Sequence, residues 1–370
     1  MNCNELVPVF EKIIEEFNLK GTLTDIIYIG TGNINDTYLA TTDFEGCNRQ
    51  YIVQRVNHRV FSNPERIAEN VCKVTDHIEA KLRANGVEDI RRRVMRYYRK
   101  SDGSYFYITP NGEYWRVLSY VYGSVNVNES DIPHLYAAGI AFGEFQKYLS
   151  DFSADKLYET IPDFHNTEKR YAALHKAATD NVAGRFEEVR EEYEYLISME
   201  SFASLFNVLH ECGDIPLRVV HNDTKCNNVM FDELTGEHLA VIDLDTVMPG
   251  FVAYDFGDAV RFAANPGGED NEDLSKIYLD LDYYSAFAEG FVPQIRDMVT
   301  ARELETLPDG VLAITLELAA RFLTDYLNGD VYFKCKKPKH NLVRTRAQVA
   351  LAKDIAKKMP QLRQRLSEIV

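Results

Sequence analysis

The sequence predicts an α+β fold in two parts, with a small β-rich part over residues 1–122 and a larger helical part over residues 123–370. Short β-prone runs separated by turns dominate the first third, and long segments with helical spacing of apolar residues follow. A chain of 370 residues is also long enough for two domains, at about 150 residues each. Such a layout favours a ligand site between the two parts.

The first part begins with an amphipathic helical pattern within residues 1–20, followed by six β-prone runs at residues 26–29, 37–41, 51–56, 94–99, 105–108 and 114–121. A helix is predicted to start at Pro64, because Pro suits the first helical position and Ser62 or Asn63 can cap it. Its apolar residues repeat at helical spacing: Ile67, Val71, Val74 and Ile78.

The second part follows a linker at residues 120–123, and its predicted helical segments are 134–149, 168–178, 186–211, 274–290 and a set from 304 to 369. One β-rich stretch, residues 219–247, interrupts them. No internal repeat or low-complexity segment is evident.

Composition narrows the possible partners. The formal net charge of −16 argues against nucleic acid or an anionic membrane as a main partner. Six cysteines without a C-x-x-C pair disfavour zinc and redox motifs. The start does not resemble a signal peptide, and no run approaches the roughly 18 apolar residues of a membrane span. We therefore expect a cytoplasmic location, and no obligate protein partner is implied.

The most informative stretch runs from His221 to Asn228 and is followed by an Asp at the end of a β-prone run, Asp243. Kinase-type phosphoryl transfer needs a carboxylate beside the attacking hydroxyl, then an amide and a carboxylate to hold magnesium. Asp223, Asn228 and Asp243 supply these groups at suitable spacing. The alternative is a polar turn in which Asp223 only accepts backbone hydrogen bonds.

Two neighbouring residues are open candidates. Lys225 is either a contact for the transferring phosphate or a solvated lysine. Asp245 is either a second metal-facing carboxylate, on the same side as Asp243 by strand alternation, or a cap for the following turn.

The segment from Gly30 to Asp36 joins two β-prone runs and is a candidate loop over the nucleotide phosphates. Gly30, Gly32 and Asn33 would bring the backbone close to phosphate, and Asn35 stands where a third Gly is expected, since Asn tolerates left-handed conformations. The alternative is a plain hairpin turn.

The next strand should carry a cation for the nucleotide phosphates. Kinase-type proteins mostly use Lys, whereas here the candidate is Arg55, with Val53 on the same face against the adenine. Glu69, preferred over Glu65, would pair with Arg55 from the following helix. Arg55 as an exposed strand residue and Glu69 as a solvated one are the alternatives.

These motifs resemble the aminoglycoside-phosphotransferase branch of the protein-kinase-like fold. Residues 54–58, 159–165 and 321–333 further resemble the N-acetylhexosamine 1-kinases, so the similarity covers residues 26–348. Two departures from the general kinase pattern are the missing strand lysine and the absence of D-F-G, since Leu244 and Asp245 follow Asp243.

The resemblance implies ATP- and magnesium-dependent phosphorylation of the anomeric hydroxyl of N-acetylglucosamine or N-acetylgalactosamine, with adenine meeting the backbone near Ser119, Tyr120 and Val121. A sugar site needs planar donors, acidic acceptors and an aromatic wall, which Arg321, Asp325 and Tyr332 offer. His165 is a further candidate, or else a loop anchor. Arg321 and Asp325 are also spaced to pair with each other.

Two other functions remain open at the level of sequence. The same fold could phosphorylate homoserine, methylthioribose, choline or an aminoglycoside. A nucleotide-binding pseudoenzyme is the third possibility, which the intact trio of Asp223, Asn228 and Asp243 disfavours.

Overall fold

The computed structural model describes residues 3–30, 35–57, 63–127 and 131–370. The strands are β1 (Thr22–Tyr28), β2 (Asp36–Phe44), β3 (Cys47–Val56), β4 (Tyr107–Ile108), β5 (Tyr114–Ser119), β6 (Ser124–Asn126), β7 (Arg218–Val220), β8 (Val229–Asp232), β9 (His238–Val241) and β10 (Met248–Gly250). The helices are α1 (Val7–Glu16), α2 (Pro64–Ala84), α3 (Ile90–Arg93), α4 (Ile132–Tyr148), α5 (Thr167–Asp180), α6 (Arg190–Ser198), α7 (Glu200–Ala203), α8 (Leu205–Glu211), α9 (Val252–Ala263), α10 (Leu281–Ile295), α11 (Ala301–Glu305), α12 (Leu307–Leu327) and α13 (His340–Ser367).

The chain divides into two compact units. The first unit comprises Met1–Ser124, Leu157–Ile161 and Leu239–Val247, and the second comprises Val125–Lys156, Pro162–His238 and Met248–Val370. The segment with Asp243 and Asp245 therefore belongs to the first unit, although the sequence placed it within the helical part. The α+β fold itself, with a β-rich first part and a helical second part, is confirmed.

The first unit is built on an antiparallel sheet with the strand order β1-β2-β3-β5-β4. Helix α1 packs on one face, where Phe10 and Ile13 join Val53, Trp115 and other apolar strand residues in one buried cluster. Because side chains alternate along a strand, Gln54 and Arg116, which lie opposite each other in the β3–β5 register, belong to the other face.

Helix α2 begins at Pro64, as predicted, and the Asn63 side chain accepts the N–H of Arg66. Ser62, the other predicted cap, lies outside the described residues. The apolar residues predicted to face the core, Ile67, Val71, Val74 and Ile78, are buried.

The second unit is helical, and α12 is its centre, packed against α5, α9 and α13. Helices α4 and α10 form a second close pair. Glycines allow this approach: a Cβ at Gly290 would lie 2.2 Å from the carbonyl oxygen of Tyr136, and one at Gly139 would lie 2.4 Å from that of Phe287. None of the helices in the described ranges combines the length and apolar character of a membrane span.

Three predicted elements differ from the structure. Residues 94–99 form a single bridge, Tyr97 with Leu118, because they share one edge of β5 with β4. The segment 186–211 breaks into α6, α7 and α8, partly because the Ser198 hydroxyl donates to the carbonyl of Tyr195 and competes with the helix. The segment predicted from residue 274 becomes α10 only at Leu281.

Candidate active site

The loop from His221 to Asn228 follows the short strand β7 and is fixed from behind by Asp255 of α9. The two carboxylate oxygens of Asp255 accept the N–H groups of His221 and Asn222 at 2.8 Å each. Gln146 donates to the same carboxylate at 2.6 Å, and the Thr224 hydroxyl donates to the carbonyl of Asp255. Burial raises the pKa of Asp255, although His221 and the backbone donors oppose the shift. The buried carboxylate of Asp255 thus fixes the backbone immediately before Asp223.

Three predicted residues meet in this loop. The Lys225 ammonium lies 2.5 Å from Oδ1 of Asp223, and the Asn228 amide donates to Oδ2 at 3.2 Å and to the carbonyl of Asp223 at 2.8 Å. The Asp223 side chain keeps 25% of its surface exposed. The loop therefore presents a reachable carboxylate, an ammonium and an amide on one short segment.

Neighbouring charged groups determine the ionisation of Asp223 and Lys225. Burial would raise the pKa of Asp223, but Lys225, His221 and the Asn228 amide outweigh it and lower that pKa. Burial opposes the charge of Lys225, yet Asp223 and then Asp258 raise its pKa. Both groups are therefore ionised at neutral pH, and Lys225 is an ion-pair partner of Asp223 rather than a solvated lysine.

Asp243 lies just beyond β9, in the first unit. Its side chain is exposed and its backbone is left-handed, with φ of 59°. A non-glycine residue with positive φ carries strain that the surroundings must offset. Because the chain leaves the strand after Val241 and turns through Leu244–Thr246, the alternation argument that put Asp243 and Asp245 on one side is wrong.

Asp245 forms a buried ion pair. Its side chain is 3% exposed and its oxygens accept from Nη1 and Nη2 of Arg116 at 2.7 and 2.8 Å. The Tyr97 hydroxyl and the Asn35 amide donate to the same carboxylate at 3.0 Å each. This carboxylate is fully engaged, so the prediction of Asp245 as a metal ligand is corrected to a partner of Arg116. Burial opposes its charge, but Arg116 lowers its pKa.

The predicted nucleotide contacts on β3, Val53 and Arg55, lie on the face of the sheet that α1 covers. Val53 is buried in the cluster under α1. Arg55 bonds Asp36 at 3.0 Å and Glu113 at 2.7 Å, so Glu69 is not its partner. The residue of α2 with a defined anchoring role is Asn70, whose side chain bonds the backbone of Tyr158 and Val247. Val53 and Arg55 are therefore corrected to structural positions, and the predicted pair of Arg55 with Glu69 is replaced by pairs with Asp36 and Glu113.

The candidate phosphate loop is described only at its ends, since Gly32 and Asn33 lie outside the described residues. A Cβ at Gly30 would fall 2.3 Å from the ring of Tyr28, which is 45% exposed, so a larger residue at this position would displace that ring. Asn35, where a third glycine was expected, is the first described residue after residues 31–34. It acts through its side chain, which donates to Asp245 and accepts the N–H of Asn57 at 3.0 Å.

The segment predicted to meet adenine follows directly from β5. The N–H of Ser119 donates to the carbonyl of Arg96 at 2.9 Å, and the carbonyl of Val121 accepts the Ser124 hydroxyl at 2.6 Å. The Tyr120 ring lies edge-on to that of Tyr122. The Ser119 N–H and the Val121 carbonyl therefore already have partners within the chain.

A second cluster in the second unit lies beside the loop from His221 to Asn228. His165 Nδ1 lies 2.9 Å from Oε1 of Glu317, and its Nε2 lies 3.3 Å from the carbonyl oxygen of Asn222. Burial opposes protonation of His165, but Glu317 outweighs it and raises the pKa. Burial likewise opposes the charge of Glu317, whose pKa His165 and then Arg321 lower.

Arg321 completes this cluster. Its guanidinium lies over the rings of Phe164 and Phe333, at 5.4 and 5.7 Å from their centroids, and 3.8 Å from Glu317. The partner of Arg321 on α12 is thus Glu317, one turn before it, and not Asp325. The arrangement offers a planar donor, an acidic acceptor and two aromatic faces.

Asp325, which was predicted to bind the substrate, instead accepts hydrogen bonds from within the protein. Its carboxylate accepts the N–H groups of Val331, Tyr332 and Phe333 at 2.8–2.9 Å and the amide of Asn341 at 2.8 Å. These donors occupy the carboxylate, so Asp325 is corrected from a substrate ligand to the organiser of the loop after α12. Tyr332 on this loop is 64% exposed.

Comparison with known proteins identifies the family of this chain. Residues 25–289 match the model of APH, the phosphotransferase enzyme family. The chain belongs to this family. The expectation of a phosphotransferase is therefore confirmed, while the acceptor is not decided by the family match.

Solved structures similar to this phosphotransferase agree in fold. A microcompartment-associated aminopropanol kinase has 17% identity and a TM-score of 0.57, with 97% of this chain and 99% of the other covered. An ethanolamine kinase from Plasmodium vivax has 12% identity and a TM-score of 0.55, with coverages of 94% and 87%. A spectinomycin phosphotransferase, solved with ADP and spectinomycin, has 10% identity and a TM-score of 0.57, with coverages of 97% and 98%.

Sequence analysis missed four residues that organise the site of this phosphotransferase: Asp255, Arg116, Gln54 and Glu317. A signal existed for two of them. Asp255 and Glu317 are carboxylates inside mainly apolar helical segments, and a buried charge requires partners. For Arg116 and Gln54 the sequence provided only strand alternation. Alternation divides the side chains of a strand between two faces, but it does not identify the face that α1 covers.

Proposed function

We propose that this phosphotransferase is an ATP- and magnesium-dependent sugar kinase that phosphorylates the anomeric hydroxyl of N-acetylhexosamines by direct in-line transfer. The observation that carries the proposal is the cluster of Arg321, Glu317, His165 and two phenylalanine rings next to the loop of Asp223. The family match supports phosphoryl transfer to a small molecule, and the cluster supports a sugar.

Asp223 is the group that aligns the acceptor hydroxyl. The hydroxyl donates to the exposed carboxylate, and its proton passes to Asp223 as the sugar oxygen bonds to the γ-phosphorus and the bond to ADP breaks. Because the pKa of Asp223 is lowered, the group is a weak base and its main contribution is orientation. Lys225 holds this carboxylate and is near enough along the loop to contact the transferring phosphate.

Asn228 and Asp243 would hold magnesium. Both offer oxygen donors, which magnesium prefers, and Asp243 is exposed. Within the described ranges no cluster of three or more Asp, Glu, His or Cys residues could hold a metal. That fits magnesium, which is commonly bound by one or two protein groups together with nucleotide phosphates and water. Bound magnesium neutralises the charge that develops on the phosphates.

The proposed nucleotide contacts are backbone groups at the start of the candidate phosphate loop and in the segment after β5. Gly30 permits close backbone approach at the start of the candidate phosphate loop, with Gly32 and Asn33 as proposed continuations. Near adenine, the N–H groups of Tyr120 and Val121 are the proposed contacts, because the Ser119 N–H and the Val121 carbonyl are already paired.

The acceptor cluster suits a neutral hydroxylated ring better than a cation. Arg170 lies close to Arg321. Burial lowers the pKa of Arg170, and repulsion from the positive charge of Arg321 lowers it further. Two guanidiniums beside the loop would repel choline, ethanolamine or an aminoglycoside, whereas a quaternary ammonium site needs an aromatic cage without them. An amide carbonyl or sugar hydroxyl accepts from Arg321, and Phe164 and Phe333 offer apolar faces to a ring.

A coupled ATP-consumption screen tests the proposal. The panel is N-acetylglucosamine, N-acetylgalactosamine, glucose, homoserine, choline, ethanolamine, 1-amino-2-propanol and kanamycin, each with magnesium. We expect turnover with the two N-acetylhexosamines and a phosphorus NMR signal split by the anomeric proton. Turnover confined to the cationic acceptors, or product modified at another hydroxyl, would overturn the assignment.

A further inference from the structure

The buried pair of Arg116 and Asp245 stands in the first unit where no function assigned above needs it. Both side chains are almost fully buried, at 2% and 3% exposure, and they meet in a bidentate contact. Charges buried in this way cost solvation free energy that good geometry only offsets, so such a pair is seldom kept for stability alone.

The pair connects the parts of the first unit proposed to handle the nucleotide. Asn35, at the end of the candidate phosphate loop, donates to Oδ2 of Asp245, and Tyr97 donates to Oδ1. Asp245 is two residues after Asp243, the proposed magnesium ligand, in the turn that holds Asp243 left-handed. One carboxylate therefore fixes the loop end and the metal-ligand turn together.

Further contacts hold the same turn in place. The Thr160 hydroxyl donates to the carbonyl of Asp245 at 3.2 Å, and the Asn70 amide donates to that of Val247 at 3.1 Å. Arg116 is itself located by Gln54 of β3, whose amide oxygen accepts from its Nε and Nη2 at 2.9 and 2.6 Å. These contacts use four of the five N–H groups of the Arg116 guanidinium, whose side chain is 2% exposed. Burial opposes its charge, but Asp245 raises its pKa.

We propose that Arg116, Asp245, Asn35 and Tyr97 form a positioning network that sets the affinity for magnesium–nucleotide by holding Asp243 and the end of the phosphate loop in their binding geometry. None of the four belongs to the proposed acceptor cluster of Arg321, Glu317 and His165. The inference rests on the proposed function in taking Asp243 as a magnesium ligand and the segment from Gly30 to Asp36 as a phosphate loop. It predicts a change in nucleotide binding that is separate from acceptor binding.

The test uses Asp245→Asn, Asn35→Ala and Tyr97→Phe in the full-length protein. Asp245→Asn removes the charge with little change of shape, whereas the other two each remove one donor. We expect Kd for magnesium–ADP to rise about tenfold in Asp245→Asn and about threefold in each of the others. Asp245→Asn weakens the ion pair with Arg116 and the hydrogen bonds from Asn35 and Tyr97 together, whereas each of the other variants loses one hydrogen bond. The KM for the sugar should stay within twofold.

Glu303→Gln is the matched control, because it disrupts another bidentate pair, with Arg218, in the second unit. It should lower the thermal midpoint without changing Kd for magnesium–ADP. Emission of Trp115, the chain's single tryptophan and a buried residue beside Arg116, reports whether the sheet stays packed.

An Asp245→Asn variant that folds and binds magnesium–ADP like wild type would overturn the inference, as would an equal loss of affinity in Glu303→Gln. If Asp245→Asn does not fold, unchanged binding in both Asn35→Ala and Tyr97→Phe overturns it. Because binding is measured without an acceptor, failure of the sugar assignment leaves this test intact. Failure of the network equally leaves the acceptor screen intact.

Discussion

The Lys225 ammonium lies 2.5 Å from Oδ1 of Asp223, so the proposed acceptor-aligning carboxylate carries its own counter-charge. Lys225 lowers the pKa of Asp223, which keeps the carboxylate ionised well below neutral pH. The pair thus favours orientation of the hydroxyl over strong basicity. This balance can be measured by removing either partner.

Replacing Asp223 by Asn should lower kcat with N-acetylglucosamine by about a thousandfold, because the amide cannot take the hydroxyl proton and aligns it poorly. The fold should persist, since the loop is held by Asp255 through the backbone. Steady-state kinetics and magnesium–ADP binding by thermal shift provide the measurement. Near-normal turnover with unchanged binding would refute the role of Asp223.

Lys225→Met should move the acidic limb of the pH profile of kcat/KM to higher pH. That limb reports the free-enzyme pKa of the essential carboxylate. Lys225 lowers this pKa, so its loss must raise it toward or above the ordinary value of about 3.9, and burial adds to the rise. Lys176→Met, which removes an exposed lysine paired with Asp180, is the control and should leave the profile unchanged. A profile identical in both variants contradicts the coupling.

Arg321→Met should raise the KM for N-acetylhexosamine by about tenfold or more while leaving the KM for magnesium–ATP unchanged, because a charge-assisted hydrogen bond is lost on the acceptor side only. Arg321→Lys should recover little, since an ammonium lacks the planar fork. Arg190→Met, at an exposed pair with Glu187, is the control. A parallel rise in both KM values would indicate general damage instead.

How much of this site the sequence predicted depends on the range of the contacts. Asp223, Lys225 and Asn228 are close along the chain, so their grouping followed from spacing. Asp245 and Arg116 are separated by 129 positions along the chain. Only the sheet register and the covering helix α1 decide that Arg116, and not Arg55, meets the turn that follows Asp243. The division into a β-rich and a helical part followed from the periodicity of apolar residues. Asp325 was assigned to the wrong role because its hydrogen bonds to the loop after α12 leave no pattern in the sequence around it.

His165 and Glu317 predict a stability that depends on pH. The pKa of His165 is raised in the fold, so its contribution is complete below the unfolded value of about 6.5 and is lost as pH rises through the folded value. Wild type should therefore lose unfolding free energy as the pH rises above about 6.5, relative to His165→Gln, which lacks this titration. Denaturant unfolding at several pH values measures the difference. Parallel pH curves for the two proteins would show that the pair does not titrate in this range.

Asp325→Ala should both destabilise the fold and weaken sugar binding. Its carboxylate accepts three backbone N–H groups and the Asn341 amide, so truncation leaves buried donors unpaired at a cost of about 3 kcal/mol. The same loop carries Phe333, whose ring lies against Arg321 and Phe322. The KM for sugar should therefore rise while the Kd for magnesium–ADP stays constant. Asp325→Asn keeps one oxygen acceptor and should give a smaller loss of both stability and affinity. Equal effects of Asn and Ala would mean that the carboxylate does not organise the loop.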